Sequence, residues 1–247
     1  MITSAKNEKI KELIKLKKKK YRDETNQFLI EGYHLVEEAY KHGIVLKIIT
    51  SVKTDDYQDV EIIEVNQSVM EKLAFTKTPQ PIMALCKMKL HKEVNYSQNR
   101  YLLLDRLQDP GNIGTILRTA SALGYKDILI SQDSVDLYND KVIRATQGAL
   151  FTLNISIVDL KEAIKKLQEN NVLVYATALK NANVMEDYPR SKKMAFIMGN
   201  EGNGVEEDII DMSDGAMYIP IETMESLNVG IASAIVMYEA VRQRIGK

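Results

Sequence analysis

The apolar residues of this chain recur at two different periods. Near the N-terminus, Ile10, Leu13 and Ile14 have helical spacing with lysines between them, which predicts a basic amphipathic helix in residues 7–20. Beyond it, short apolar runs alternate with helical stretches. Strands are predicted at residues 28–30, 44–50, 60–65 and 82–88, and helical segments at 34–41 and 67–73. This alternation predicts a small α/β module.

A sharper alternation begins at Tyr101, after a polar and aperiodic stretch, residues 91–100, of the kind that links domains. Strands are predicted at residues 101–104, 127–131, 154–158, 172–177, 194–198 and 216–219, and helices at 112–123, 139–146, 160–168 and 228–244. Strands separated by helices predict a parallel sheet covered on both faces, with ligands beyond the carboxyl ends of its strands. We therefore expect two α/β domains, residues 1–95 and 100–247.

The last predicted helix has almost no polar face between Val229 and Val241. A helix that is apolar on nearly all sides must be buried on nearly all sides. Covering one face of a sheet uses only part of this surface. We therefore expect the remainder to meet a second subunit.

Composition narrows the class of protein. Hydrophobic residues make up 45% of the chain and charged residues 27%, the ordinary balance of a soluble globular protein. A single cysteine, Cys86, excludes an intramolecular disulfide and a cysteine-based zinc site, and the three histidines lack metal-ligand spacing. Neither a signal peptide nor a membrane-length apolar run is apparent. We expect a cytoplasmic protein without a metal.

Positive charge is concentrated in residues 1–22, although the net charge of the chain is −1. The most basic part of this region contains Lys17, Lys18, Lys19, Lys20 and Arg22. Two interpretations stay open: a solvated helix face, or an arm that contacts the phosphates of a nucleic acid.

Two loops that follow predicted strands combine turn residues with polar side chains. The first reads D-P-G-N-I-G-T-I-L-R, residues 109–118. In a purely structural interpretation Asn112 caps the next helix and Arg118 faces solvent. The second reads G-N-E-G-N-G-V, residues 199–205, and matches neither a P-loop nor a dinucleotide fingerprint. It is either a tight turn with Glu201 exposed or a loop whose backbone approaches a ligand.

A third loop reads I-P-I-E-T-M-E-S-L-N-V-G, residues 219–230, and leads into the last helix. Ser226 or Asn228 would cap that helix.

Taken together and in this order, the three loops resemble the three motifs of the SpoU-type (TrmH-type) RNA 2′-O-ribose methyltransferases of the SPOUT superfamily. The resemblance covers residues 101–247. Upstream, N-Q-F-L-I-E-G-Y-H-L-V-E-E-A, residues 26–39, resembles the start of a ribosomal-protein-L30-like RNA-binding domain. The resemblance implies an α/β fold with a trefoil knot, S-adenosylmethionine as cofactor, and a homodimer formed through the last helix.

The resemblance also implies roles for individual residues. The active-site positions are Asn112, Arg118, Glu201, Ser226 and Asn228. The cofactor positions are Thr177, Met198, Gly199, Asn200, Gly202, Ile219, Leu227 and Asn228. Asn200 stands where the family frequently has serine.

Arg118 is the residue to which the family assigns the proton of the ribose hydroxyl. A guanidinium is a poor base because it holds its proton very tightly, so orienting the oxygen or the neighbouring phosphate is physically easier. Glu201 would pair with Arg118 and fix its orientation.

RNA is the expected partner. A separate N-terminal RNA-binding domain is more typical of members that modify large ribosomal RNA than of those that modify tRNA, so a guanosine of 23S rRNA is favoured over a tRNA target. Arg144, in D-K-V-I-R-A-T-Q-G-A-L-F, is either an RNA-phosphate contact or a surface arginine. The alternatives are an RNA-binding protein without catalysis and, lowest, a dinucleotide-dependent oxidoreductase, whose phosphate fingerprint is missing.

Overall fold

The computed structural model describes residues 1–89, 93–179, 181–187 and 192–245. It divides into two compact units, Met1–Leu90 with Asp136–Phe151, and His91–Val135 with Thr152–Lys247. The predicted linker lies at the first of these divisions, although its first two residues are outside the described part. The grouping of Asp136–Phe151 with the N-terminal unit differs from the predicted domain bounds.

The first unit is built on a mixed four-stranded sheet. Its strands lie in the order β1-β4-β2-β3, with β4 antiparallel to both neighbours and β2 parallel to β3. The strands are β1 (Gln27–Glu31), β2 (Val45–Thr50), β3 (Glu61–Glu64) and β4 (Ile82–Lys87). The helices of residues 1–89 are α1 (Glu8–Lys15), α2 (Lys19–Thr25), α3 (Tyr33–Lys41) and α4 (Gln67–Leu73).

The single helix predicted for residues 7–20 is wrong, because α1 ends at Lys15 and α2 begins at Lys19. The amides of Leu16, Lys17 and Lys18 donate to the carbonyls three residues earlier, over 3.1, 3.1 and 2.9 Å, and this tight turn ends α1. Leu16, the C-cap of α1, packs in the same core as Ile10 and Leu13 and is 4% exposed.

The second unit contains a seven-stranded sheet in the order β7-β6-β5-β10-β8-β11-β9, and every pair is parallel. The strands are β5 (Arg100–Leu104), β6 (Asp127–Ser131), β7 (Asn154–Val158), β8 (Leu173–Thr177), β9 (Asn183–Val184), β10 (Met194–Met198) and β11 (Gly215–Tyr218). The helices described in this unit are α5 (Pro110–Ala122), α8 (Leu160–Glu169), α9 (Glu207–Met212) and α10 (Val229–Ile245), with a 3-10 turn at Met185–Asp187. The predicted parallel α/β sheet is confirmed.

The segment Asp136–Phe151 carries α6 (Asp140–Thr146) and the start of α7 (Ala149–Thr152). Its aromatic rings pack on β1: the Phe28 ring centroid is 4.7 Å from that of Tyr138 and 6.4 Å from that of Phe151. These contacts explain why the segment groups with the first unit.

The position of β10 decides where a site forms. It lies between β5 and β8, so the loops that leave β5 and β10 are neighbours. The amide of Asp105 donates to the carbonyl of Met198 over 2.9 Å where these loops begin. Helix α10 packs on α5, which follows the β5 loop. The predicted knot stays an implication of the family resemblance.

None of the helices within the described residues is long and apolar enough to span a bilayer.

Candidate active site

The loop after β5 ends with two residues that favour the start of a helix. Asp109 is the N-cap of α5, and its carboxylate accepts a hydrogen bond of 2.8 Å from the amide of Asn112. Pro110 follows as the first helical residue, where its missing N–H costs nothing. The prediction that Asn112 caps this helix is therefore wrong. Asn112 lies three positions after the cap, and its side chain points to neighbouring loops.

The glycine-rich loop after β10 folds back on itself. Asn200 and Gly204 exchange backbone hydrogen bonds of 3.0 and 2.9 Å, and the side-chain carbonyl of Asn200 accepts from the amides of Gly202 and Asn203. A side chain on Gly199 would place its Cβ 2.1 Å from the backbone of Gly204. Only glycine permits this closure.

Glu201 joins the two loops. Its Oε1 accepts hydrogen bonds of 3.1 Å from the Asp109 amide and from Nδ2 of Asn112, and its Oε2 accepts one of 3.3 Å from the Gln108 amide. Burial raises the pKa of this carboxyl, but the hydrogen bonds from backbone amides and from Asn112 together outweigh burial and lower its pKa below 4.5. Glu201 is therefore a carboxylate at neutral pH.

The predicted pair between Glu201 and Arg118 does not form. The carboxylate of Glu201 is occupied by donors at the start of α5. Arg118 lies further along the same helix, is exposed, and makes no hydrogen bond or ion pair with any residue in the part of the chain that the structure describes. Its guanidinium is thus available to a substrate.

Asn228 brings in the third loop. Its side-chain carbonyl accepts from the Gly230 amide over 2.9 Å and caps α10, while its Nδ2 donates to Oδ1 of Asn112 over 2.9 Å. Glu201, Asn112 and Asn228 thus form one hydrogen-bonded chain across the three loops. Of the two predicted caps for α10, Asn228 is the one observed. Ser226 is exposed and has no hydrogen bond to the described residues.

The predicted cofactor positions fall into two groups. Met198 is buried in β10, and Thr177 donates to the carbonyl of Ile197 over 2.9 Å. Ile219 and Leu227, in the third loop, are half-buried. The amide group of Asn200 is used at both ends, since its Nδ2 donates to the Arg106 carbonyl over 2.8 Å and its oxygen shapes the glycine loop. Both polar atoms of this side chain therefore bond within the protein, and the contact of Asn200 with the cofactor stays a prediction.

These residue types fit S-adenosylmethionine. The turn at Gly199 leaves main-chain groups accessible without intervening side chains, and the half-buried Ile219 and Leu227 offer an apolar surface suited to an adenine ring. No cluster of histidine, cysteine, aspartate and glutamate suited to a metal is found among the residues described.

The basic region of the first unit is only partly available to RNA. Nζ of Lys17 donates to the carbonyls of Lys72 and Ala74 over 3.0 and 2.7 Å. Arg22 is 6% exposed and pairs with the carboxylate of Asp136. The buried Arg22 holds the fold, so the prediction that it contacts phosphates is corrected. Lys17 is exposed, and its contact with phosphates stays a prediction.

The other predicted phosphate contacts lie at the surface. Lys19 and Lys20 form intrahelical ion pairs with Asp23 and Glu24, while Lys18 is exposed and has no side-chain partner among the described residues. Arg144 of α6 pairs with Asp140 over 2.8 Å, one turn away on the same helix.

Residues 99–238, which include all three loops, match the SpoU rRNA Methylase family. The chain belongs to this family. Residues 7–84 match the MRM3-like substrate binding domain. The predicted methyltransferase class, with S-adenosylmethionine as the cofactor that the family uses, is confirmed at the level of the family.

Relatives of this SpoU family member match either nearly the whole chain or a part of it. The 23S rRNA (guanosine(2553)-2′-O)-methyltransferase RlmP of Bacillus subtilis is 39% identical over 96% of this chain and 97% of its own length. The 23S rRNA (guanosine-2′-O-)-methyltransferase RlmB of Bordetella pertussis is 35% identical over 59% of this chain and 60% of its own.

Solved structures show the same architecture. An AdoMet-bound rRNA methyltransferase from Sinorhizobium meliloti covers 98% of this chain, which covers 97% of it, at 29% identity and a TM-score of 0.85. A TrmH/SpoU tRNA modifying enzyme from A. aeolicus covers 60% of this chain, which covers 76% of it, at 25% identity and a TM-score of 0.52.

Sequence reasoning missed Asp109 as the cap of α5. The signal was present, because an acidic residue directly before proline is a common start of a helix. It also missed Asp105 and Arg106, the two residues that directly follow β5.

Proposed function

We propose that this chain transfers a methyl group from S-adenosylmethionine to the ribose 2′-hydroxyl of a guanosine in 23S rRNA. The observation that carries the proposal is the hydrogen-bonded chain Glu201–Asn112–Asn228, which ties the three family motifs into one polar site at the carboxyl ends of β5 and β10. When bound, the cofactor supplies a sulfonium-activated methyl group. The names of RlmP and RlmB support guanosine in 23S rRNA as the target.

The chemical task of the protein is orientation. A ribose hydroxyl is a weak acid, and its oxygen must be held in line with the methyl carbon at a distance of roughly 3 to 3.5 Å. Arg118 is exposed and unpaired among the described residues, and its guanidinium offers a fork of N–H donors, so we assign to it the task of holding that oxygen or the adjacent phosphate. The exposed Ser226 hydroxyl supplies a second polar group for the ribose.

The charged Glu201 acts indirectly, by positioning Asn112. Because its carboxylate accepts from Nδ2 of Asn112, the amide of Asn112 is fixed with its oxygen toward Asn228. Asn228 in turn holds the first turn of α10. We propose that Gly199, Gly202, Ile219 and Leu227 enclose the cofactor, with Thr177 and Met198 at the ends of the adjacent strands.

We also propose that the chain is a cytoplasmic homodimer through α10. Ile231, Ile235 and Tyr238 lie on one side of this helix and are 52%, 40% and 56% exposed. Three large apolar side chains at this spacing form a stripe that a second copy would cover.

A tRNA target is the second candidate function, since family members are named for both kinds of RNA. The 39% identity to RlmP over 96% of this chain, a span that takes in the substrate-binding match at residues 7–84, favours ribosomal RNA.

The test is methyl transfer from tritiated S-adenosylmethionine to RNA of a strain that lacks the gene. Ribosomal and tRNA fractions, and intact ribosomal subunits, are counted separately. We expect label in large-subunit RNA. Label in tRNA alone would show that tRNA, and not 23S rRNA, is the target. No label in any fraction would favour an RNA-binding protein without catalysis.

A further inference from the structure

A buried carboxylate lies directly behind the glycine-rich loop. Asp105, the first residue after β5, is 2% exposed. Its Oδ1 accepts from Nε of Arg106 and its Oδ2 accepts from Nη2 of Arg106 and from the Glu206 amide, each over 3.1 Å. A buried charge is tolerated when it has an oppositely charged partner and its hydrogen bonds are satisfied. The carboxylate thus joins Arg106 to the far end of the glycine-rich loop.

Arg106 has an unusual backbone. Its φ angle is +53°, in the left-handed region that non-glycine residues rarely adopt. The conformation is held from several sides: its amide donates to Oγ of Ser131 over 2.8 Å, and its carbonyl accepts from Nδ2 of Asn200 over 2.8 Å. Strained residues persist where surrounding contacts determine them, and such residues cluster at functional sites.

The side chain of Arg106 reaches the end of the glycine-rich loop. Its Nε lies 3.2 Å from Oε1 of Glu206, and its Nη2 donates to the Gly204 carbonyl over 3.5 Å. The carbonyl of Arg106 holds Asn200 at the start of the loop. At the end of the loop, the Arg106 guanidinium contacts Gly204 and Glu206. The Asp105 carboxylate also accepts from the Glu206 amide. Glu201 lies between these two attachments.

We infer that Asp105 and Arg106 are positioning residues of the methyl-transfer site: they clamp both ends of the loop 199–206 so that Glu201 meets Asn112. The inference rests on the proposed function. Neither residue is assigned a contact with RNA or cofactor. They act through Glu201, whose hydrogen bonds to the start of α5 depend on where the loop lies.

The test compares Arg106→Gln with Arg100→Gln in the full-length protein. Arg100 lies in the same unit, at the start of β5, where its Nη1 donates to the Leu123 carbonyl over 3.2 Å. Asp105→Asn is the second variant, because it keeps the size of the side chain while removing the charge that Arg106 pairs with. All are measured by amide hydrogen exchange of the free protein, and by kcat and KM for RNA.

For Arg106→Gln and Asp105→Asn we expect amides of residues 199–206 to exchange about 10-fold faster, because the loop opens locally more often. We expect kcat to fall about 10- to 100-fold, as misplacement of a site by about 1 Å can cause, with KM for RNA within about 2-fold. Arg100→Gln should leave both the exchange of this loop and kcat as in the wild type.

Unchanged exchange of residues 199–206 in both variants would overturn the inference, and so would faster exchange with unchanged kcat, since the clamp would then have no bearing on the site. If the wild type itself methylates no RNA, the proposed function fails. The exchange data on the free protein then decide separately whether Asp105 and Arg106 hold this loop.

Discussion

Glu201, Asn112 and Asn228 are held in place by hydrogen bonds to one another. Arg118, in contrast, has no polar partner among the described residues. The apolar stripe on α10, formed by Ile231, Ile235 and Tyr238, is likewise exposed. Asn112 and Arg118 both lie on α5, and Asn228 directly precedes α10, which carries the stripe. The hydrogen-bonded set, which we call the completed side of the candidate site, thus has its partners within this polypeptide, whereas Arg118 and the stripe form the uncompleted side. We propose that the uncompleted side is completed by RNA at Arg118 and by a second copy at α10.

The largest expected effect comes from the uncompleted side. Arg118→Ala should lower kcat by about 10³-fold, since a preorganised charged donor is removed from the reacting oxygen. The Kd of S-adenosylmethionine should stay within about 2-fold by calorimetry, because this guanidinium has no polar partner among the residues that the structure describes. Arg118→Lys should recover only part of the rate, because an ammonium lacks the planar fork. Full activity of the alanine variant would remove Arg118 from the mechanism.

The completed side should respond differently. Asn112→Asp places a carboxylate against that of Glu201, so we expect kcat to fall about 100-fold and the free energy of unfolding to drop by about 1–3 kcal/mol. Asn170→Asp is the matched control, an exposed asparagine at the end of α8 whose Nδ2, among the described residues, donates only to the Lys166 carbonyl. Thermal unfolding and single-turnover transfer measure both. Equal behaviour of the two variants would show that the Glu201–Asn112 bond has no role.

The stripe on α10 tests the proposed second copy. Ile235→Lys should convert the dimer to a monomer in light scattering, because it buries a charge in an apolar contact. Ile157→Lys is a control at matched exposure, since both isoleucines are 40% exposed and Ile157 lies on the edge strand β7. A wild-type monomer, or a dimer that survives the α10 change, would contradict the proposed interface.

A smaller effect is expected from the basic region. Changing Lys18, Lys19 and Lys20 together to glutamate should weaken RNA binding about 10-fold at low salt and reduce the salt dependence of Kd, because fewer counterions are released. The same change at Lys161, Lys165 and Lys166 of α8 serves as the control. Binding that falls equally at all salt concentrations would indicate misfolding instead of lost phosphate contacts.

The smallest effect concerns pH. The pKa of Glu201 in the folded chain lies below 4.5, so the stabilisation from its hydrogen bonds is fully present above that value and is lost as pH falls through the folded pKa. Amide exchange of residues 199–206, corrected for its intrinsic pH dependence, should therefore indicate the same opening equilibrium between pH 7 and pH 5. Opening that increases within this interval would mean that Glu201 is not the carboxylate that closes the loop.

The sequence was sufficient to predict the parallel sheet, because strand periodicity is a local signal. It was also sufficient to predict that three loops converge, because ligands of parallel α/β sheets generally bind beyond the carboxyl ends of the strands. The sequence was insufficient to predict which side chains form hydrogen bonds or ion pairs with each other. Glu201 was expected to meet Arg118, but the Asp109–Pro110 start of α5 turns amides and Asn112 toward it. The strand β9, of two residues, and the helix α9, of six, are too short for a periodic signal.

The charged side chains of the first unit teach the same lesson. Lys18 and Arg22 belong to one basic run, yet the first is exposed and the second is buried against Asp136, which is distant in sequence. Charge patterning cannot distinguish them, because burial of an arginine depends on a partner that only the fold supplies.

Analysis of the methylated product tests the central claim most directly. Large-subunit RNA from a strain lacking the gene is incubated with tritiated S-adenosylmethionine and the wild-type protein or its Arg118→Ala variant, and then hydrolysed in alkali. We predict that the wild type yields labelled alkali-resistant dinucleotides containing guanosine and that the variant yields none above background. Label released entirely as mononucleotides would place the methyl group on a base and would contradict 2′-O-ribose methylation.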